Sequence, residues 1–139
     1  MPDILHEVII AASPDKVYKA ITEEQSHWWT SKAVAQPIVG SIGEFSFPSG
    51  FAIKMEIANL EPNSKVDWIV KQGRPEWLGT HVTWDLTTVD NGTKVRFGHR
   101  NFVTADGSLA GASYTWAWYL TSLKDYVETG IGRPGQAPN

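Results

Sequence analysis

His99 offers the most chemistry in this sequence, because it stands where an apolar residue is expected. In the segment Val95-Arg96-Phe97-Gly98-His99 apolar and polar residues alternate with period two, which puts His99 on the face of Val95 and Phe97, beside Trp84 of the preceding segment and two residues before Asn101. A neutral imidazole there can bind the polar end of a ligand or act as a base. It can equally be a core histidine satisfied by a neighbouring carbonyl or water. No carboxylate falls on that face near His99, which argues against a Ser-His-Asp or Asp-His arrangement, where a third group must fix the tautomer. Metal binding is weaker still. His81 and His99 have opposite parity in adjacent strands, His6 and His27 share no ligand spacing with either, and the chain has no Cys, so neither a metal nor another cofactor is expected.

The second group of interest is aromatic. Trp68, Trp84 and Trp116 most simply form core. The functional alternative is that they line a cavity together with Met55, Phe97, His99 and Leu120, with Trp28, Trp29 and Phe51 at its rim, since indole rings with one N–H each suit a mostly apolar ligand. Phosphate chemistry is not supported, because no Gly-rich phosphate loop follows a strand and opens a helix, and Gly40-x2-Gly43 and Gly107-x3-Gly111 lack the required context.

The elements that position these residues can be read outward from Asp106 to Gly130, the one long window with sustained helical periodicity. Leu109, Ala112, Trp116, Leu120, Leu123 and Val127 form a single stripe that must be buried. Asp106 or Ser108 can cap the first turn, and Gly130 suits a left-handed C-terminal cap. On the opposite, polar arc lie Tyr114 and Trp118, four residues apart. That pair either stacks or is covered locally, or forms the surface of a homodimer.

Strands supply the partner of the apolar stripe. Ile4 to Ala12 is rich in Ile, Val and Leu. Ser13-Pro14-Asp15 then starts a helix containing Val17, Ala20 and Ile21, and a second short helix carries His27, Trp28 and Trp29. Further strands are expected over Glu44 to Phe47, Phe51 to Leu60 and Lys65 to Lys71. Asn91-Gly92 is a strong hairpin signal. A two-residue loop there pairs Leu86 with Phe97, Trp84 with His99 and Val82 with Asn101. Across the Glu61 to Ser64 turn, Ile57 faces Trp68 and Met55 faces Val70. The inner face of the sheet is then Ile53, Met55, Ile57, Val66, Trp68, Val70, Val82, Trp84, Leu86, Val95, Phe97 and His99.

The 139 residues suit one domain, spanning 1–130, with a frayed tail over 131–139 that shows no packing pattern. Seven Trp make aromatic content the compositional outlier. With 12 Lys and Arg against 15 Asp and Glu, a net charge of −3 provides no counterion-release drive toward nucleic acid. No signal-like or eighteen-residue apolar segment is present, so a cytoplasmic protein without a membrane span is expected.

The order of elements resembles the helix-grip fold of the START-like superfamily, which includes plant lipid-transfer proteins and bacterial polyketide cyclases. Within it, Ala12-Ser13-Pro14-Asp15-Lys16-Val17-Tyr18-Lys19-Ala20-Ile21-Thr22, then Trp28-Trp29, then Trp116-x3-Leu120-x2-Leu123-Lys124-x-Tyr126-Val127-Glu128 resemble the Aha-like proteins, homologues of the activators of a heat-shock chaperone ATPase. The resemblance implies an α+β fold in which a curved antiparallel sheet wraps around a long C-terminal helix, with two short helices after the first strand. It implies a shared cavity rather than fixed catalytic residues. Two departures stand out: Thr115 occupies a position where the family commonly has Gly, and the separate N-terminal domain of the eukaryotic activators has no counterpart in these residues. The expected function is binding of a small apolar or aromatic molecule between sheet and helix. The alternatives are a cyclase- or hydrolase-type cavity enzyme using His99 as acid or base, and a protein-binding module acting on a chaperone or other client.

Overall fold

The computed structural model describes residues 1–138. Strand β1 (Ile4–Ile10) leads into helices α1 (Pro14–Glu23) and α2 (Gln25–Trp28); β2 (Lys32–Val34), β3 (Ile42–Ser46), β4 (Ala52–Glu61), β5 (Lys65–Gln72), β6 (His81–Val89) and β7 (Gly92–Arg100) follow, and α3 (Leu109–Thr129) closes the chain. All seven strands make one antiparallel sheet in the order β1-β7-β6-β5-β4-β3-β2. The meander β2 to β7 needs only local connections, and β1 pairs with β7 to complete the curved sheet that grips α3. This is the helix-grip arrangement expected from the sequence.

The local chemistry explains the element ends. Ser13 has extended backbone and Pro14 fixes the first helical φ of α1, so the chain turns from β1 into a helix without a linker. Gly130 ends α3 at φ 87, a left-handed conformation that costs a glycine little. The N-terminus of α3 departs from expectation. The helix starts at Leu109, three residues after Asp106, and its first N–H groups receive no cap from the Ser108 side chain. Instead the Glu76 carboxylate accepts the Ser108 N–H at 3.2 Å, while Ser108 Oγ accepts Trp77 Nε1–H at 2.8 Å. Both partners lie on a 3₁₀ turn at Pro75–Trp77. That turn, and the three-residue edge strand β2, carry no period that the sequence reveals.

All twelve residues assigned to the inner face of the sheet are buried. The β6–β7 register nevertheless differs from expectation: Val82 pairs with His99, Trp84 with Phe97 and Leu86 with Val95, and the loop residues are Asp90 and Asn91. Because the slip is two residues, every side chain keeps its face. Gly92 then sits inside the ladder at φ 141, where an added Cβ would overlap the Ile10 carbonyl oxygen. The glycine meets two needs at once, the positive φ directly after the loop and the close approach of β1. Across β4–β5, Ile57 pairs with Trp68 and Met55 with Val70 as expected, and an irregularity between Ile57 and Asn59 shortens the loop to three residues.

The stripe on α3 is buried at Ala112, Trp116, Leu120 and Leu123, with Leu109 and Val127 partly buried at its ends. Residues 131–138, for which the sequence offers no packing pattern, do have partners. Arg133 N donates to Ser122 Oγ at 2.7 Å, Gly135 N to the Trp29 carbonyl at 2.7 Å, and Ala137 N to the Tyr119 hydroxyl at 3.4 Å.

Candidate functional site

The space between sheet and helix is divided in two by Trp29. Its ring lies against Phe45 at 4.5 Å, Trp116 at 5.2 Å and, stacked, Trp68 at 6.0 Å between ring centres. On one side the space is full. Trp28, Trp68, Trp84, Phe97 and Trp116 meet there edge to face, with Trp84 5.8 Å from Trp28, 5.7 Å from Trp68 and 4.9 Å from Phe97. The Trp28 indole is anchored by donating to the Ala20 carbonyl at 2.8 Å. Met55 and Leu120 pack into the same core.

On the other side of Trp29 is an open cleft of about 850 Å³. Its floor is Trp29, Ile53 and Trp116; its walls are Phe47 and Phe51 from the β3–β4 loop, Trp77 from the 3₁₀ turn, the Gly111–Tyr119 side of α3, and Gly135, Ala137 and Pro138 of the C-terminal segment. Arg74 stands at the mouth, its guanidinium 5.4 Å from the Phe51 ring centre and 5.7 Å from that of Trp77. The Tyr119 hydroxyl faces the C-terminal segment, and burial holds its pKa above the usual phenol value.

The packing divides the residues expected to line a cavity between the cleft and the core. Trp116 lines the cleft, as do the expected rim residues Trp29 and Phe51, whereas Met55, Trp68, Trp84, Phe97 and Leu120 do not reach it and Trp28 lies in the closed core. The physical reason is that α2 pushes Trp28 and Trp29 between sheet and helix, so that indole rings fill the volume a ligand would have used. Phe47, Arg74, Trp77 and Tyr119 are cleft residues that the sequence did not single out. Trp77 in the loop segment Arg74-Pro75-Glu76-Trp77-Leu78 was the available signal, since a tryptophan in a turn must find cover somewhere.

His99 also lies outside the cleft lining, fully buried, with Trp77, Phe102 and Trp116 around it. Trp116 Nε1–H can only donate, so His99 Nδ1 accepts, at 3.2 Å, and carries no proton. The proton is then on Nε2, which donates to Thr80 Oγ1 at 2.8 Å, and that hydroxyl donates in turn to the Trp77 carbonyl. Burial lowers the His99 pKa to about 4. Both nitrogens are spent within the protein, and the ring stays neutral at ordinary pH. His81 projects to the outer face, its Nδ1 2.9 Å from Asp67, away from His99.

Tyr114 and Trp118 are separated in role. Tyr114 is exposed at the cleft mouth, while the Trp118 ring is covered by the Arg133 guanidinium at 5.0 Å, itself bonded to Asp125. Among the described residues no helix is long and apolar enough to cross a membrane.

The sequence model of the Activator of Hsp90 ATPase homolog 1-like protein family matches residues 11–128. Among solved structures, the Aha1 dimer from Colwellia psychrerythraea is 37% identical, with a TM-score of 0.87 over 95% of this chain and 100% of that one. A Staphylococcus saprophyticus protein, SSP2350, is 22% identical with a TM-score of 0.80, covering 96% of this chain and 97% of the other. DynU16, a protein of the dynemicin biosynthetic locus, is likewise 22% identical with a TM-score of 0.80, over 94% of this chain and 48% of that chain. The last two similarities are of fold. No curated protein matches the chain.

Proposed function

We propose that this chain, which belongs to the Activator of Hsp90 ATPase homolog 1-like family, binds a small apolar or aromatic molecule in the cleft between the β3–β4 loop, the 3₁₀ turn and α3. One observation carries the reading: beside a closely packed aromatic core, an open space of about 850 Å³ is lined by seven aromatic side chains, Trp29, Phe47, Phe51, Trp77, Tyr114, Trp116 and Tyr119. Trp29, Trp77, Trp116 and Tyr119 are already largely out of water, so the apolar area still open is mainly that of Phe47, Phe51 and Tyr114, and covering it recovers roughly 25 cal/mol for each Å². The volume falls in the range of about 300 to 1,000 Å³ usual for small-molecule sites. His99 is not assigned an acid or base role, because its nitrogens are engaged by Trp116 and Thr80 and its ring does not border the cleft.

Native mass spectrometry of protein purified from its own host tests the reading. A stoichiometric small molecule that leaves on mild activation is the expected result; a protein that is empty and gains no apolar molecule from a host extract would overturn it.

A second reading, self-association, is favoured by the Colwellia relative, which is a dimer. In this chain the surface we propose for it is centred on exposed Tyr114 and the uncovered edge of Trp118.

A further inference from the structure

Arg74 is the one charged side chain among the residues that line the cleft. It forms no ion pair among the described residues, although the chain as a whole carries a net charge of −3 and seven of the other eleven Lys and Arg side chains do have acidic partners. Glu76, two residues along, is not its counter-ion, because that carboxylate is turned to the Ser108 N–H at the start of α3. The guanidinium instead rests near the rings of Phe51 and Trp77, the two aromatic walls of the mouth. Contact with ring faces holds the plane of the group in place by cation–π attraction while leaving its in-plane N–H donors uncommitted. An arginine held this way offers a fork of donors at the entrance to an apolar cleft, and a fork of that shape matches a planar or tetrahedral anion.

We propose that the cleft selects molecules with an aromatic or aliphatic body and a single anionic group, of the carboxylate or sulfonate class, with the body among Trp29, Trp116 and Tyr119 and the anion paired to Arg74 at the mouth. The inference rests on the reading of the cleft as a ligand site and adds the charge of the ligand to it. Cationic molecules of the same size are disfavoured, since their charge would meet the guanidinium on entry. Arg74 is exposed, so solvent and salt screen the pair, and its effect is a preference rather than an absolute requirement.

The test uses two probes with one skeleton, 1-anilinonaphthalene-8-sulfonate and the neutral N-phenyl-1-naphthylamine, titrated by fluorescence into the wild type, Arg74→Met and Arg74→Lys. The expected result is that the wild type binds the sulfonate about three- to tenfold more tightly than the neutral probe, as a partly screened charge pair allows. Arg74→Met should erase that advantage, read as the ratio of sulfonate to neutral-probe affinity within each protein. Arg74→Lys should keep part of it, and added salt should weaken only the sulfonate. Equal sulfonate affinity in the wild type and Arg74→Met would overturn the charge assignment while leaving the cleft as a ligand site. If neither probe binds the wild type, the ligand-site reading fails and takes this inference with it.

Discussion

The Trp116 indole donates its proton to Nδ1 of His99 at 3.2 Å, and this contact decides the state of the most conspicuous titratable group in the core. With Nε2–H directed to Thr80, the imidazole joins α3 and β7 to the segment just before β6 as a neutral, fully satisfied link. A second proton on Nδ1 would face a donor, so ionisation breaks the link.

That arrangement sets a pH dependence. The folded-state pKa of about 4 lies below the ordinary value of 6.5, so between these values the unfolded chain binds the proton and the folded one does not. The stabilising contribution is complete above about pH 6.5, declines as the pH falls toward 4 and then levels off. The total is on the order of 3 kcal/mol. Urea unfolding of the wild type and His99→Gln across this interval checks it: the difference between the two curves should shrink as the pH falls, and a difference independent of pH would contradict it. Replacing His99 with Phe, which keeps a ring but not the bonds, should cost about 1 to 3 kcal/mol while the cleft keeps its ligand.

Ser122 gives a second prediction. Its buried hydroxyl donates to the Trp28 carbonyl at 2.9 Å and accepts the Arg133 N–H at 2.7 Å, joining α2, α3 and the C-terminal segment. Ser122→Ala leaves the Trp28 carbonyl without that donor and the Arg133 N–H without its acceptor. It should cost about 1 to 3 kcal/mol by denaturant unfolding. Hydrogen exchange at Arg133 and Gly135 should accelerate together; unchanged protection there would contradict the role given to Ser122.

Two glycines separate backbone need from open space. Gly92→Ala places a methyl group against the Ile10 carbonyl at a φ of 141, and should destabilise by well over about 1 kcal/mol. Gly111 is helical and its added Cβ meets nothing within 4 Å, so Gly111→Ala should be neutral or stabilising by up to about 1 kcal/mol. Comparable costs at the two positions would mean that β1 does not approach β7 as described.

These contrasts also show where the sequence is informative. Period-two alternation assigned every inner-face residue from Ile53 to His99 correctly, because face depends only on parity and survived the two-residue slip at Asp90-Asn91. The slip itself is not legible locally, since one of the two demands on Gly92 comes from β1, far away in the chain. The same holds for the cleft. Phe47, Trp77 and Ala137 belong to three separated segments without periodicity, and only tertiary packing brings them together, whereas Trp28 and Trp29, read as a rim, partly fill the space they were expected to border.

The self-association proposal makes its own prediction. Sedimentation velocity at high micromolar concentration should show a dimer that Tyr114→Ser weakens, and that Trp118→Ser weakens less, because Arg133 already covers that ring. A wild type that remains monomeric would remove the proposal and leave Tyr114 as a cleft residue alone.

The central claim, that the cleft beside Trp29 holds a ligand, is tested most directly by filling it. Gly111 lines the cleft and tolerates a side chain without backbone strain, so Gly111→Phe projects a ring into the space from a helix that remains intact. Titration of N-phenyl-1-naphthylamine into both proteins should give saturable one-to-one binding to the wild type. The same titration should give affinity lower by about tenfold or more in the variant, with the unfolding midpoint preserved. Equal affinity in the two proteins, or no saturable binding to the wild type, would contradict it.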